Sequence, residues 1–446
     1  MSEEATLEES TEKNDDEENP RESVFGEIPS DWSVSDLDDP ELFSVTSSGL
    51  ESFDGEKTYV PTGEVEGGEI IGDDGTVSYD DRPSRANLTV EQGDVLFAKM
   101  KDSIKVIRAT QDLSEDYIFS TGFVRVTTTD SVNSDFLKQI LLSNRFNQSK
   151  DSLAIGSTQP AINLSDLSAL SVPVPPIDEQ RKIASILYTV DQAIQKTEEL
   201  IEQTHQIKAG VVQDVFHGKH EHFDEYVPTS VGEVPSNWEV ASIGDVVHTA
   251  QYGISESLSE EGEYPIFRMN NIKNGYMIDE PLKYIDLDDD EFEKYRVEEG
   301  DILFNRTNSL ELVGKTGIYN LDGDHVFASY LVRLQTNERS DSYYLNYYMN
   351  SAEAQNRMMD FATKGVSQAN INANSIQQVK LPLPPLDEQK QIAERIRSLD
   401  RQIETNQEYK YQLNRLKNGL MYDLLSGEVR THDKDIELVD DLLKHG

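Results

Sequence analysis

One stretch of this chain occurs twice. Residues 156–187 and 365–396 align without a gap at an offset of 209, and 12 of the 32 aligned positions are identical. Each copy passes from a proline-rich segment into a long polar stretch that begins with Asp-Glu-Gln. Because proline donates no backbone hydrogen bond and pushes the preceding residue out of the helical region, a helix is predicted to begin directly after Pro176 and after Pro385.

The duplication extends over most of the chain. The motif Gly-Glu-[Ile/Val]-Pro-x-x-Trp ends at Trp32 and again at Trp238, at an offset of 206. A Gly-Asp turn that leads into a short apolar run occurs at 93–97 and at 300–304, at an offset of 207. Since the offset rises only from 206 to 209, the two halves are full-length copies. Each is predicted to form a mixed α and β domain of about 150 residues.

Both long polar stretches carry apolar residues at steps of four, three and four, which is typical of a coiled-coil seam. Asp178 and Asp387 are the expected N-caps of these helices. Since neither helix can bury a one-sided stripe alone, we expect the two to pack antiparallel. The seam positions are Ile183, Leu187, Val190, Ile194, Ile392, Ile396, Leu399 and Ile403, continued by Ile207, Val211, Val215, Leu416, Leu420 and Leu424.

These patterns predict an α+β fold with two tandem-repeat mixed α/β domains, separated by two long helices that pack as an antiparallel coiled coil. The expected segments are an acidic disordered tail at 1–20, a first domain at 21–176, a first helix at 177–218, a linker at 219–230, a second domain at 231–385, a second helix at 386–427 and a tail at 428–446.

The charge balance is extreme, with 84 acidic against 40 basic residues and a net charge of −44. The acids could be concentrated in disordered tails or spread over folded surfaces, as in halophilic proteins. Residues 1–20 hold nine of them, but acids also crowd 286–299 and recur along both helices. The pattern favours a halophilic, haloarchaeal surface.

The absence of cysteine excludes a disulfide framework and thiolate zinc sites. No apolar run approaches the length that spans a bilayer, so we expect a cytoplasmic protein without a membrane partner. His217, His220 and His222 lie near two acids, but their spacing matches no standard metal site. We interpret this stretch as a solvated linker and expect neither a metal nor a cofactor.

Two divergent domains, each opening with the Gly-Glu-x-Pro-x-x-Trp motif and closing with Pro-[Val/Leu]-Pro-Pro-[Ile/Leu]-Asp-Glu-Gln, resemble the specificity subunit of type I restriction-modification systems. The resemblance implies that each domain is a target recognition domain reading one half of a bipartite double-stranded DNA target. The helices would set the gap between the half-sites and dock two methyltransferase subunits, and through them the restriction subunits. Catalysis would then lie on other chains. The acidic extension before Arg21 and the surface acidity depart from the family pattern.

In so acidic a chain, basic stretches stand out. Residues 97–110 carry four cations against one acid, and residues 264–278 contain no acid. Arg, Lys and Asn are the side chains that contact phosphates and read purine edges, although the same residues could merely hold loops. The predicted DNA contacts are Lys57, Tyr59, Lys99, Lys101, Lys105, Arg108, Arg268, Asn270, Asn271, Lys273, Asn305 and Arg306. Gln159 and Gln368, which precede the repeated Ile-Asn pair, are at least as well explained by a structural role.

Sequence motifs argue against an enzyme. There is no Gly-x-Gly-x-x-Gly cofactor loop, no Asn-Pro-Pro-aromatic stretch and no P-loop. The repeated Asp-Glu-Gln is interpreted as a helix start whose acids interact favourably with the helix dipole and which contacts a partner subunit. Two alternatives to a DNA-reading subunit stay open: a coiled-coil scaffold without a DNA role, and a stand-alone methyltransferase or nuclease.

Overall fold

The computed structural model describes residues 22–364, 368–436 and 438–439, so the predicted tail at 1–20 and the end of the tail predicted at 428–446 lie outside the described residues. The chain divides into two compact units. The first runs to Thr197 and resumes at Tyr409, and the second is Glu198–Glu408. Each unit therefore combines one copy of the duplicated domain with parts of both long helices.

The first unit contains two four-stranded sheets, in the orders β6-β3-β10-β7 and β2-β11-β8-β9, and two two-stranded ones, β1-β12 and β4-β5. Its strands are β1 (Ser33–Asp36), β2 (Phe43–Thr46), β3 (Glu56–Val60), β4 (Val65–Glu66), β5 (Glu69–Ile70), β6 (Thr76–Ser78), β7 (Ala86–Leu88), β8 (Val95–Ala98), β9 (Val106–Arg108), β10 (Tyr117–Ser120), β11 (Phe123–Thr128) and β12 (Ser171–Val174). Its helices are α1 (Gln111–Asp116), α2 (Ser134–Leu142) and α3 (Asn144–Leu153), followed by α4 (Ile177–Val215), which continues into the second unit.

The second unit is built around a six-stranded sheet, ordered β16-β25-β21-β23-β19-β18, with smaller sheets β20-β17-β24, β22-β27-β26, β13-β14 and β15-β28. Its strands are β13 (Tyr226–Thr229), β14 (Gly232–Pro235), β15 (Glu239–Ser242), β16 (Val247–Tyr252), β17 (Tyr264–Phe267), β18 (Ile272–Lys273), β19 (Tyr276–Met277), β20 (Lys283–Ile285), β21 (Ile302–Asn305), β22 (Thr307–Asn308), β23 (Thr316–Ile318), β24 (Val326–Phe327), β25 (Leu331–Thr336), β26 (Thr363–Lys364), β27 (Ala369–Asn370) and β28 (Lys380–Leu383). Its helices are α5 (Ile243–Val246), α6 (Asp289–Tyr295), α7 (Ser342–Met349), α8 (Ala352–Met359) and α9 (Ala373–Ile376), followed by α10 (Leu386–Leu425), which ends in the first unit.

The two motifs that open and close each sequence repeat meet in space. Strand β1, just after Trp32, pairs antiparallel with the proline-rich β12, with Ser33 opposite Val174. In the second unit β15 pairs with β28 in the same way, with Glu239 opposite Leu383. Two-stranded pairs tolerate proline because their outer edges need no ladder donor. Each domain therefore closes at the point where its long helix begins.

The long helices pack antiparallel within each unit. In the first unit Asp191 of α4 pairs with Lys417 of α10, while Leu187, nearer the start of α4, shares a core with Leu424, nearer the end of α10. In the second unit Lys208 pairs with Asp400, and Val215 shares a core with Ile392. The predicted fold class, two mixed α/β domains with an antiparallel helix pair, is confirmed.

The seam is buried unevenly. Ile183, Leu187, Ile392, Ile396 and Ile403 are buried, whereas Val190, Ile194 and Leu399 are half-buried. The predicted continuation is wrong at two equivalent positions, since Ile207 is 57% exposed and Leu416 is 51% exposed. Ile207 belongs to neither hydrophobic core, whereas Val211, one turn later, packs against the core of the second unit. No described helix is long and apolar enough to cross a membrane.

Candidate nucleic-acid interface

The strongest equivalence between the two units lies just beyond β8 and β21. Lys99 follows β8, its backbone N–H donates to Gly122 O (3.0 Å), and its carbonyl accepts from Ile162 N (3.1 Å). Arg306 follows β21 in the same setting, with its N–H donating to Tyr330 O (3.1 Å) and its carbonyl accepting from Ile371 N (2.9 Å). The fold thus places one cation of each copy at the junction of three chain segments.

In the first unit this junction carries a loop at 99–105, which we call the first reading loop. Lys101 is exposed and its backbone N–H donates to Pro160 O (2.9 Å), so the loop is tied to the segment that follows α3. Lys99 is half-buried, and burial lowers the pKa of its ammonium. Neither side chain forms an ion pair with another described residue, so both are available to an anion.

The other two cations of this stretch serve the fold. The Lys105 ammonium donates to Thr62 O (2.6 Å). The Arg108 guanidinium donates to Ser134 Oγ (2.9 Å) and lies 3.1 Å from Asp135, with only 9% of its side chain exposed. The structure therefore gives Lys105 and Arg108 internal partners, a difference that the run of four cations in the sequence does not reveal.

The second unit has an equivalent loop at 306–315, the second reading loop. The Arg306 guanidinium lies over the Tyr252 ring, 4.8 Å from its centroid, and donates to Ser329 O (3.2 Å). Tyr252 is 41% and the neighbouring Tyr330 50% exposed. An exposed aromatic ring beside a guanidinium suits stacking and phosphate contact. Asn305 next to it is buried and donates to Leu312 O (3.1 Å), so its amide shapes the loop.

The predicted stretch at 264–278 divides in the same way. Asn270 and Lys273 are exposed. Asn271 is fully buried, where its amide donates to Ile278 O (3.2 Å) and Pro281 O (3.1 Å). Arg268 is half-buried and also donates to Pro281 O (3.2 Å). Buried amides that satisfy backbone carbonyls hold a turn. Of the four predicted contacts in this stretch, Asn270 and Lys273 are the two that are exposed.

The first-copy counterpart of that stretch has internal partners. Lys57 on β3 donates to Glu115 O (2.5 Å), and Tyr59 is 4% exposed in a small apolar cluster. Tyr59 is therefore a core residue, because its ring packs with Ile118 and Ala86.

A groove of about 520 Å³ in the second unit brings together cations that are far apart in sequence. Lys273 and Lys315 line it with Lys208 and His205 of α4, opposite Asp400 and Glu404 of α10. Sequence reasoning missed Lys208 and His205 because they stand singly among the acids of α4, and only the packing of α4 beside the domain collects them.

The repeated Asp-Glu-Gln has a structural explanation. Gln180 is fully buried, where it accepts from Asn133 N (2.8 Å) and donates to Ser131 O (3.0 Å), so it ties α4 to the start of α2. Gln389 accepts from Asp341 N (3.0 Å) and donates to Arg339 O (3.0 Å) at the start of α7. The expected partner contact is wrong for these glutamines, because their amides are consumed inside their own units.

The predicted N-caps are also corrected. Asp178 and Asp387 lie in the first turns of α4 and α10, after Ile177 and Leu386. The first helical acceptors are the carbonyls of Pro176 and Pro385, which receive Gln180 N (3.1 Å) and Gln389 N (3.0 Å). Proline suits this position since its φ is already helical. The aspartates therefore act on the helix dipole from the first turn.

The glutamates of the repeat form two contacts that we call the tryptophan clamps. In the first clamp Trp32 Nε1 donates to Glu179 (3.0 Å), and Arg430 donates to both Glu179 oxygens (3.0 and 2.9 Å) and to Asp31. In the second, Trp238 Nε1 donates to Glu388 (3.1 Å), and His220 Nε2 lies 3.5 Å from it.

The linker is solvated only in part, since His222 is exposed while His217 and His220 have partners. His220 has 8% of its side chain exposed and packs beside Trp238, and burial lowers the pKa of its imidazole. His217 Nε2 lies 3.0 Å from Glu353. Within 22–364, 368–436 and 438–439 no group of three or more His, Cys, Asp or Glu side chains is arranged to hold a metal ion.

Comparison with known proteins adds the family. The model of the type I restriction modification DNA specificity domain matches this chain twice, at residues 29–205 and 235–415. A putative type I restriction enzyme specificity subunit, MjaX, of Methanocaldococcus jannaschii is 26% identical over 439 residues, which cover 93% of this chain and 97% of that protein.

Solved structures agree in fold. A chain from a structure describing assembly and conformational transition of the type I R-M system has a TM-score of 0.57 at 20% identity, covering 90% of this chain and all of that one. The S subunit of a type I restriction-modification system from M. genitalium has a TM-score of 0.54 at 15% identity, covering 89% and 96%. With two matched domains over most of its length, this chain belongs to the type I restriction-modification DNA specificity family.

Proposed function

We propose that the chain is the non-catalytic, DNA-reading subunit of a cytoplasmic type I restriction-modification complex. The first reading loop contacts one half of a bipartite double-stranded target, and the second reading loop contacts the other half. The observation that carries this proposal is the equivalence of Lys99 and Arg306, which occupy the same backbone junction in both units. Such cations contact phosphates or guanine edges.

Besides these two residues, the proposed DNA contacts are those predicted residues that are exposed. Lys101 accompanies Lys99, and Asn270 and Lys273 accompany Arg306. The groove cations Lys315 and Lys208 are added because they face the same open space as Lys273. In a chain with a net charge of −44, these lysines are local exceptions to the general repulsion of DNA, although Lys208 is also paired with Asp400.

The long helices are proposed to set the gap between the half-sites and to dock two methyltransferase subunits. Exposed apolar side chains support the docking role. Leu200 and Ile207 of α4 are 49% and 57% exposed, and seven residues apart they share one helix face. Tyr409 and Leu416 of α10, at the matched positions 209 residues later, are 51% and 51% exposed. A duplicated apolar face fits two copies of one partner, through which the restriction subunits join.

The experiment that tests DNA reading is a modified-adenine map of genomic DNA from cells with and without this gene, followed by complementation with Lys99→Gln and Arg306→Gln. We expect one bipartite methylated motif to disappear on deletion, and each variant to relax one different half of it. Lys196→Gln, an exposed lysine on α4 outside both loops, is the matched control.

The alternatives give different maps. A coiled-coil scaffold predicts that the map is unchanged by deletion and by both variants. A stand-alone methyltransferase or nuclease predicts activity of the purified chain without any partner. Docking is tested separately: Leu200→Asp with Ile207→Asp is expected to reduce the methyltransferase recovered with the chain by about half, because the α10 face stays intact.

A further inference from the structure

Lys150 on α3 is a buried cation that none of the roles above uses. Its side chain is 1% exposed. Its Nζ lies 2.7 Å from Ser103 O, 3.1 Å from Met100 O and 3.5 Å from Ala98 O. Burial lowers the pKa of this ammonium, while the carboxylate of Asp151 opposes that shift. A buried ammonium persists only where other groups replace its water, and here backbone carbonyls do so.

These carbonyls belong to the first reading loop and its entrance. Three carbonyls from residues 98–103 converge on one ammonium only if the turn keeps one shape. The same helix fixes the loop at a second point, where the backbone N–H of Asp102 donates to Asp151 Oδ2 (3.2 Å). Asp102 itself has a φ of 55°, a conformation that needs support from its surroundings in a residue other than glycine.

The second unit holds its loop without a charge. Gln355 of α8 donates to Gly314 O (2.9 Å), and Asn305 donates to Leu312 O (3.1 Å). Helices α3 and α8 begin after Ser143 and Ser351, an offset of 208, so position 150 corresponds to Met358, which is fully buried. The two units therefore place a lysine and a methionine at one site beneath their loops.

We propose that Lys150 is a positioning residue for DNA reading: it fixes the shape of the first reading loop from below and so determines how sharply one half-site is discriminated. This inference rests on the proposed function. Lys150 never touches DNA, because its ammonium is enclosed by the loop. The loop must present Lys99 and Lys101 in one geometry, since a base contact discriminates only when its donors are preplaced.

The test uses the full chain in complex with its methyltransferase subunits and Lys150→Met, which introduces the residue found at the matched position of the second unit. Methylation rates are measured on the target and on single-base variants of each half-site. We expect discrimination to fall about tenfold, as for the loss of roughly one base contact, in the half-site read by the first unit. The other half-site should keep its wild-type discrimination.

Lys138→Met is the matched control. Lys138 on α2 is a second desolvated lysine of the same unit, with Asp191 and Asp135 nearby, and its ammonium makes no hydrogen bond to the described reading loop. It should lower thermal stability without changing discrimination. If Lys150→Met prevents assembly of the complex, discrimination at both half-sites is measured for Lys150→Gln instead, which keeps a hydrogen-bond donor. The loss of discrimination is again expected only in the half-site read by the first unit.

Unchanged discrimination, or an equal loss in both half-sites, would overturn the inference. Failure of the proposed function looks different, because the wild-type complex itself would then show no preference for any bipartite sequence. A wild-type preference combined with an insensitive Lys150 variant rejects only the positioning role.

Discussion

The two tryptophan clamps come from one duplicated motif, yet the equivalent glutamates have different surroundings: Glu179 is buried and Glu388 is half-buried. In the first unit a guanidinium clasps Glu179 with two hydrogen bonds. Burial alone would raise the pKa of Glu179, but Arg430, the Thr431 N–H and Trp32 hold it below its usual range. In the second unit burial dominates and raises the pKa of Glu388, since Trp238 is its one hydrogen-bond donor among the described residues. One clamp is an ion pair, and the other joins a carboxyl of raised pKa to an imidazole of lowered pKa.

The ion pairs between the helices differ as well. Lys208–Asp400 (2.5 Å) and Lys417–Asp191 (2.6 Å) are related by the offset of 209. Asp400 also accepts from Tyr276 (3.1 Å) and Tyr347 (2.7 Å) and is 10% exposed, whereas Asp191 is 28% exposed. The duplication preserved both side-chain ion pairs, whereas the burial and the hydrogen bonds of the two aspartates differ.

The largest expected effect is that of Arg430→Gln. It leaves the Glu179 carboxylate buried with neutral donors only, so the free energy of unfolding should fall by about 2 kcal/mol. Denaturation is followed in a Trp238→Phe background, where Trp32 is the remaining tryptophan. Arg415→Gln, on the exposed face of α10, is the control. If the free energy of unfolding falls no more than in the control, the Arg430 guanidinium does not contribute to stability.

A smaller difference is expected between the helix pairs. Lys208→Met should cost about 1.5 kcal/mol because it leaves the more buried aspartate unpaired, and Lys417→Met about 0.5 kcal/mol because water reaches Asp191. Both are measured by chemical denaturation at one salt concentration. A larger loss of stability for Lys417→Met than for Lys208→Met would contradict this comparison of the two ion pairs.

His220→Phe should change stability by less than about 1 kcal/mol. The new ring keeps the contacts with Trp238 and Phe223, and the His220 Nδ1 that it removes is buried without a hydrogen-bond partner among the described residues. The readout is denaturation in a Trp32→Phe background. An effect as large as that of Arg430→Gln would make the two clamps equivalent.

The smallest expected effect is on how the stability of the two clamps depends on pH. Burial lowers the pKa of His220, so the unfolded chain binds a proton below about pH 6.5 while the folded chain resists it, and the contribution of the second clamp falls as pH falls. Glu388, with a raised pKa, has the opposite effect, because the folded chain binds its proton more readily than the unfolded chain does. The pKa of Glu179 is lowered, so the first clamp is lost only in stronger acid.

Single-tryptophan variants separate these responses. Trp238 emission should change as the pH falls below about 6.5 while Trp32 emission stays constant, and His220→Phe should reduce the change. Parallel titration of both tryptophans would contradict the assignment.

Much of the fold was predictable because the duplication is a physical constraint. Two copies with the same apolar spacing must bury the same faces, so the helix starts after Pro176 and Pro385 and the buried seam at Ile183 and Ile392 could be placed in advance. The site was harder. Lys101 and Lys105 cannot be distinguished in the sequence. In the structure Lys105 donates a hydrogen bond to the carbonyl of Thr62, whereas Lys101 is exposed.

Repeats, prolines and apolar periodicity act locally along the chain, so the duplication, the fold class and the family could be predicted from the sequence alone. The folded structure was needed to see which cations have internal partners, that the repeated Glu-Gln faces inward, and that Lys150 lies beneath a loop 50 residues earlier in the chain. Those outcomes depend on which groups meet across the fold, and contacts between distant segments leave no periodic signal in sequence.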